Sequence, residues 1–399
     1  MTDVLAVERL TFGFDALAHR DRQVVFVPYG APGDHVVAET VERHAQFVRA
    51  RIVEVAEPGP ARVLPGCRYF PTCGGCQWQH VAPPAQRDAK AAIVAEQLAR
   101  TAGVRDAEVL PTLTAGGDWH YRARLTLVVE GRRAGYHRAR SHHLLEVEDC
   151  PIADPVLSAH LDAARDWVGA LRVPLRRVSL AVAPGGVVLT AIASALPGTH
   201  DLEVTTELLA RMPTVRGAVL ADARAERRLV AGDPHVRVAL EPGLDLEVPA
   251  DVFTQVNPDA NRLLVASVIA LGGFAPGERV LDLYAGAGNF TLPIARRGAC
   301  VVGIDLSAKL LAIARRHEET DPRGIAYVQA DAQNLDDQML GLFDGVVCFL
   351  ALMDIPNLAP TLHSVARILR PGGRMMIADM CIEKPIPDSA LHDIDLWTG

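Results

Sequence analysis

Short runs of alternating apolar and polar residues dominate the start of the chain, among them Gln23-Val-Val-Phe-Val27, Asp34-His-Val-Val-Ala-Glu-Thr-Val41 and Gln46-Phe-Val-Arg-Ala-Arg-Ile-Val-Glu-Val55. Turn formers such as Tyr29-Gly-Ala-Pro-Gly33 separate them, so residues 4–57 predict a small barrel or curled sheet. A helical period covers 89–102, and residues 115–249 return to strand-like runs broken by Ala183-Pro-Gly-Gly186 and Gly232-Asp-Pro234. A second helical period covers 261–271. Beyond it, Val280, Leu281 and Leu283 read as a buried strand, Ala285 to Gly288 as a tight turn, and Asn289 onward as a helix whose first turn tolerates Pro293. Further strands are predicted over 300–305, 325–329, 343–348 and around Met375, the pattern of a parallel α/β sheet.

The strand, turn and helix over 279–295 carry the most informative chemistry. Glycines at 286 and 288 let a ligand approach the backbone without meeting a Cβ, and the helix that follows offers N–H donors. A dinucleotide fingerprint would place a third glycine at 291, where this chain has Thr291, so NAD is disfavoured. Asp282 lies in the first strand, Asp305 ends the second, where its carboxylate could accept both hydroxyls of a ribose, and Asp331 follows the third. Together these residues resemble the nucleoside site of class I S-adenosylmethionine-dependent methyltransferases.

Composition narrows the class without naming it. With 399 residues, 49% hydrophobic and 22% charged, the chain has room for two or three domains of ordinary globular character. No apolar run follows Met1 and none approaches a membrane span, so the expected location is the cytoplasm. The net charge of −8 argues against a surface that is basic throughout. Between Trp119 and His143, however, six arginines (122, 124, 132, 133, 138 and 140) stand against one acid, Glu130; Arg122, Arg124, Arg138 and Arg140 are the candidates for phosphate contact.

Cysteines add a second centre. Cys67, Cys73 and Cys76 are spaced by five and then two residues, Gly74 and Gly75 let the loop fold back, and Cys150 supplies a fourth thiol. In a cytoplasmic chain such thiols favour a metal over disulfides: an iron–sulfur cluster, with tetrahedral zinc as the competitor.

Here the likeness becomes specific. Val25-Phe-Val-Pro-Tyr-Gly-Ala-Pro-Gly-Asp34 looks like the core of a TRAM domain, an RNA-binding barrel. Cys67-x5-Cys73-Gly-Gly-Cys76-Gln-Trp-Gln-His80, Gln86 and Lys90, Tyr121-Arg-x-Arg124, Gly135-Tyr-His-Arg-x-Arg-Ser-His142, Cys150-Pro and Val252-Phe-Thr-Gln-Val-Asn257 resemble the RNA uracil-C5 methyltransferases that make 5-methyluridine in bacterial rRNA and tRNA. The resemblance implies three parts: a TRAM or OB-like barrel (1–58), a central β-rich iron–sulfur and RNA-substrate domain (59–249), and a C-terminal Rossmann-like class I methyltransferase domain (250–399), with a helix over 84–114 packing on the last. It implies that Cys67, Cys73, Cys76 and Cys150 hold a [4Fe–4S] cluster. S-adenosylmethionine would lie against Gln255, Tyr284, Gly286, Gly288, Asn289, Asp305 and Asp331. The partner would be a structured rRNA or tRNA, with no membrane and no obligate protein partner.

The C-terminal text departs from that family. Its chemistry needs a cysteine that adds to uracil C6 so that C5 can attack the sulfonium methyl, after which a base removes the C5 proton. The family's Ser-Cys-Asn-Pro and Asp-Pro-Pro/Ala-Arg phrases are both absent, and residues 343–379, with Ile368-Leu-Arg-Pro-Gly-Gly-Arg374, look more like small-molecule class I methyltransferases. Cys381 falls about one residue after the family nucleophile and is the candidate for that role; Cys348 and Cys300 read as structural. Only 18 residues follow Cys381, too few for the helix and antiparallel hairpin that complete a class I sheet. Two rival expectations follow: a small-molecule methyltransferase with inherited RNA-binding domains, or a non-catalytic RNA-binding protein on the same scaffold.

Overall fold

The structure, a computed structural model, describes residues 2–222, 228–335, 340–349, 351–352, 355 and 357–378. It divides into two compact units, one made from Met1–Thr114 and Arg133–Pro151, the other from Ala115–Arg132 and the described residues from Ile152 onward.

In the first unit, β1 (Thr2–Leu10), β2 (Ala16–Arg20), β3 (Gln23–Val27), β4 (His35–Arg43) and β5 (Phe47–Glu57) close into a barrel in the order β1-β2-β3-β5-β4. All neighbours are antiparallel except β3 and β5, which run parallel. The period-2 pattern turns Leu5, Val7, Ala16, Ala18, Val25, Val27, Val36, Ala38, Val48 and Ala50 inward. Four of these ten are alanines, small enough for the interior of a five-stranded barrel. Asp34 pins the segment after β5: its carboxylate is fully buried and accepts hydrogen bonds from the Ala31 and Gly59 amides and from the Arg62 guanidinium. A Cβ on Gly59 would fall 2.4 Å from the carbonyl carbon of Gly33, so only glycine passes there.

Helix α1 (Pro83–Arg100) is shorter than the expected 84–114 segment. Ala85 and Ala89 pack on the barrel core and Arg9 pairs with Glu96 at 2.6 Å, which puts the helix in the barrel's unit. Strand β6 (Arg124–Glu130) belongs to the second unit, whereas β7 (Arg133–His137) and β8 (Leu144–Leu145) form an antiparallel pair in the first. The expected 59–249 domain is therefore shared between units. The physical cause is long-range pairing: Cys73 bridges to Arg138, Gly74 donates to the His137 carbonyl and Ala139 to that of Thr72, which ties the cysteine loop to the β7–β8 hairpin.

The second unit contains β9 (Leu175–Ala183), β10 (Gly186–Ala193), β11 (Val215–Asp222) and β12 (Arg228–Gly232), arranged with β6 in the order β12-β11-β10-β9-β6. Helices α2 (Pro155–Ser158), α3 (Leu161–Ala170) and α4 (Thr199–Arg211) accompany this sheet, and buried Trp167 donates to Thr205 Oγ1 at 3.0 Å between α3 and α4. A hairpin of β13 (His235–Glu241) and β14 (Leu244–Pro249) leads to α5 (Pro258–Gly272). Asn257 caps α5, accepting from the Ala260 amide at 3.0 Å, Pro258 starts it and left-handed Gly273 ends it.

The last part is a parallel sheet: β15 (Arg279–Leu283), α6 (Thr291–Arg296), β16 (Cys300–Asp305), α7 (Ala308–Thr320), β17 (Ala326–Gln329), β18 (Phe343–Phe349), α8 (Leu358–Ile368) and β19 (Leu369–Ala378). Strand order is β17-β16-β15-β18-β19, all parallel. Val280, Val301, Tyr327 and Val347 face one core with α5 and α7; Leu281, Ile304, Val346 and Cys348 face the other with α8. The order reverses between β15 and β18, which opens a crevice at the carboxyl ends of these strands. Cys348 is buried as expected, whereas Cys300 is exposed at the first residue of β16. Cys381 lies outside the described residues.

Candidate functional site

The turn after β15 is made by left-handed backbone at three of five positions: Tyr284 at φ +59°, Gly286 at +56° and Gly288 at +108°. A Cβ on Gly286 would meet nothing nearer than the Tyr284 carbonyl at 4.0 Å, so the turn is open on that side. Asp305, almost fully buried, fixes the turn to the next strand: Oδ2 accepts from the Gly286 amide at 2.9 Å and Oδ1 from the Ser307 amide at 2.8 Å. Each oxygen keeps a second lone pair, enough for the paired hydroxyls of a ribose. Asn289 is held by reciprocal amide bonds with buried Asn261 of α5, at 3.0 and 3.2 Å. Asp331, two residues past β17, accepts from the Gln333 amide at 2.9 Å. Asp282, Tyr284, Gly286, Gly288, Asn289, Asp305 and Asp331 thus gather at the carboxyl ends of β15, β16 and β17, and Gln255 lies in the loop leading to α5.

Beneath the turn, three buried polar atoms lack a hydrogen-bond partner: Asp282 Oδ2, Thr291 Oγ1 and the Tyr327 hydroxyl. Burial pushes the Asp282 carboxyl up to about 7, and the nearby charge of Asp305 pushes the same way against Thr291, which favours the ionised form. Burial likewise raises the Tyr327 phenol.

The four cysteines lie together in the first unit. Arg68 bonds Glu148 at 2.8 Å and Asp149 at 3.0 Å, and the Glu148 amide donates to the Tyr69 hydroxyl at 2.8 Å, which draws the Cys67 and Cys150 segments together. Burial raises the Cys73 thiol, and the charges of Cys76, Cys150 and Cys67 push it in the same direction. The sulfurs are therefore near neighbours, yet among the described residues no three Cys, His, Asp or Glu donors converge tightly enough to hold a metal ion. Four thiols are the kind of donor set that a four-thiolate centre uses.

Beside that loop is a cavity of about 540 Å³ lined by Gly74, Gly75, His137, Arg138, Arg140 and His142. The Arg138 head group is exposed there, and Arg140 pairs with buried Asp15, which Arg49 also approaches. The other two candidate arginines stand in the second unit. Arg124 is held inside its unit: its guanidinium is mostly buried and donates to the carbonyls of Ala250 and Val252 and to Thr254 Oγ1, and burial lowers its pKa to about 10. The Arg122 main chain bonds Ile152 and Asp154, and its Nε is buried without a partner. Sequence reasoning missed Asn261, Thr291, Tyr327 and Asp15. A polar residue on the apolar face of a helix, as Asn261 is, would have been the available signal.

A family model described as "Methyltransferase domain" matches residues 280–373. The 23S rRNA (uracil(1939)-C(5))-methyltransferase of Thiobacillus denitrificans is 34% identical over 327 residues, covering 79% of this chain and 75% of that one. Its counterpart from Bordetella pertussis is 31% identical over 401 residues, covering 94% and 82%. The crystal structure of Pyrococcus abyssi tRNA (uracil-54, C5)-methyltransferase in complex with S-adenosyl-L-homocysteine superposes with a TM-score of 0.66 at 19% identity, over 92% of this chain and 87% of that one. At that identity it bears on the fold, which it matches.

Proposed function

The chain belongs to the RNA uracil-C5 methyltransferase family, and we propose on that basis that it transfers a methyl group from S-adenosylmethionine to C5 of a uridine in ribosomal RNA. The observation that carries this reading on the chain itself is the crevice at the ends of β15 to β17, where an open glycine turn and a carboxylate with spare lone pairs stand side by side. When bound, the cofactor supplies an electrophilic sulfonium methyl. Asp305 would accept the ribose hydroxyls, Asp331 and Gln255 would border the nucleoside and methionine ends, and Asn289 would hold the turn's far side through Asn261. The nucleophile on uracil C6 is assigned to Cys381.

Cys67, Cys73, Cys76 and Cys150 would hold a [4Fe–4S] cluster, with zinc as the alternative, and so lock the loop beside the Arg138 cavity. The barrel acts as a TRAM-type grip, and Arg138 and Arg140 meet phosphate. Incubation of the protein with methyl-labelled cofactor and a 23S rRNA transcript tests the whole: label should appear as 5-methyluridine. Label in small metabolites alone, or none anywhere while RNA still binds, would overturn the assignment. Cys381→Ala should abolish transfer, and full activity in that variant removes Cys381 from the chemistry. Visible absorbance in anaerobically purified protein distinguishes the cluster from zinc.

A further inference from the structure

Across the parallel sheet, register puts Tyr327 of β17 beside Gly303 of β16 and Gly303 beside Asp282 of β15. The middle residue has no side chain, and the tyrosine uses the gap. A Cβ on Gly303 would lie 2.9 Å from Tyr327 Cδ1, 3.0 Å from Cε1 and 3.0 Å from Ala285 Cβ, so one edge of the ring takes the space over that glycine. At its far end the hydroxyl comes within 3.2 Å of where a Cβ on Gly288 would be. Tyr327 thus spans from the third strand to the underside of the glycine turn on the first. There it faces Thr291, which also faces Asp282, and each of the three carries a buried polar atom without a close hydrogen-bond partner. Buried groups of this kind satisfy one another when a small shift allows it, since leaving them unpaired is costly.

We propose that Tyr327 is a positioning residue for the cofactor: its hydroxyl, delivered through the gap at Gly303, donates to the Asp282 carboxylate and holds that charge beneath the Gly286–Gly288 turn. The proposal rests on the methyl-donor reading above. Its consequence is discrimination between the cofactor and its product. An ionised carboxylate under the turn favours a ligand carrying a sulfonium over one carrying a neutral thioether, so donor is retained and product released. The titratable or charged groups around Asp282 and Tyr327 are Asp305 from β16 and Arg315 and Glu318 from α7, the former bonding the Tyr327 carbonyl at 2.8 Å. Strand β18 presents Val347 opposite Asp282, with buried Cys348 next to it, and α6 presents Thr291. Burial holds the Asp282 carboxyl near neutrality, so the discrimination varies over the physiological range.

Calorimetry on the full chain with S-adenosylmethionine and S-adenosylhomocysteine between pH 6 and 8 tests this, because the affinity ratio cancels the amino and carboxyl groups that the two ligands share. The ratio should rise with pH in the wild type. Tyr327→Phe keeps the ring; it should bind S-adenosylmethionine about fivefold more weakly, bind the homocysteine nearly normally, and move the midpoint of the ratio upward. Gly303→Ala, whose methyl presses on the ring and on Ala285, should move the midpoint of the ratio the same way with the hydroxyl still present in the chain. A purely structural tyrosine would lower the melting temperature and weaken both ligands alike without moving the midpoint, and that result overturns the proposal. So does a wild-type ratio that is flat with pH, which needs no variant to fold. Binding of neither ligand by the wild type sinks the methyl-donor reading itself, and this inference with it.

Discussion

Asp34 in the barrel and Asp282 in the parallel sheet are equally buried, at 0% and 1% exposure, and have opposite fates. Around Asp34, burial works against the ionised form, but the Arg62 guanidinium and the Gly59 and Ala31 amides outweigh it and hold the carboxyl below its ordinary range. Around Asp282 burial prevails: Thr291 alone favours the ionised form, no cation among the described residues stands against the carboxylate, and the carboxyl is pushed up to about 7. Asp34 is satisfied within the fold, whereas Asp282 holds capacity in reserve at the mouth of the crevice. A buried aspartate that is fully satisfied reports on folding; one that is not reports on a ligand.

The largest effect that sharpens this contrast is expected at Asp34. Asp34→Ala strands the Arg62 guanidinium and two buried amides, and loss of one partner from a buried ion pair costs about 3–5 kcal/mol. Urea unfolding of the variant should show that loss at pH 7. In the wild type the contribution is present above the ordinary carboxyl range and fades as pH falls through the depressed folded value, so the difference between the two proteins should shrink in acid. An unchanged midpoint at pH 7 would mean that the barrel's closure does not depend on this carboxylate.

Arg124→Ala comes next and separates an internal role for this arginine from phosphate contact. Three hydrogen bonds to Ala250, Val252 and Thr254 are lost, leaving buried acceptors unpaired. A destabilisation of about 2–4 kcal/mol is expected. RNA affinity per folded molecule should not change, and a selective loss of RNA binding with normal stability would return Arg124 to the phosphate contacts.

Asp282→Asn should do the reverse of Asp34→Ala. The wild-type carboxyl titrates near 7 in the folded state and near 4 unfolded, so between those values the folded state keeps a proton that the unfolded state has lost. Stability therefore falls as pH rises across that window. The amide removes this dependence, and the variant should gain about 2 kcal/mol on the wild type at pH 8 compared with pH 5, while binding S-adenosylmethionine less well. Parallel stability curves for the two proteins would show that Asp282 is ionised at no cost.

Much of this was legible in one dimension. Alternation over 4–57 announced the barrel, and the strand, glycine turn and terminal acids announced the crevice, because each depends on residues a few positions apart. What stayed hidden depends on register. That Tyr327 falls in line with Asp282 across Gly303 requires three strands to be aligned, and that the cysteine loop joins the barrel's unit requires Cys73 to find Arg138. Arg124 and Arg138 read alike as members of one basic stretch, although one is an internal strut and the other an exposed head group. Apolar alternation in β6, which buries Leu125, Leu127 and Val129, was the nearest hint that Arg124 begins a core strand.

The smallest effect belongs to that exposed arginine, and it separates the two kinds of cation most cleanly. Arg138 lines the 540 Å³ cavity, and among the described residues its guanidinium has no ion-pair partner, unlike Arg140, which Asp15 holds. An exposed cation that the fold does not use contributes little to stability, so Arg138→Ala should melt with the wild type. If it meets a phosphate, its loss releases one fewer counterion: RNA affinity should fall by about 1 kcal/mol at moderate salt, and the slope of log affinity against log salt should drop by roughly 0.7 to 1. Arg140→Ala should show the same change in slope together with a measurable loss of stability, because it also leaves buried Asp15 with Arg49 alone. A slope unaltered in Arg138→Ala would place the RNA path elsewhere on the unit and leave the cavity without a role in binding it.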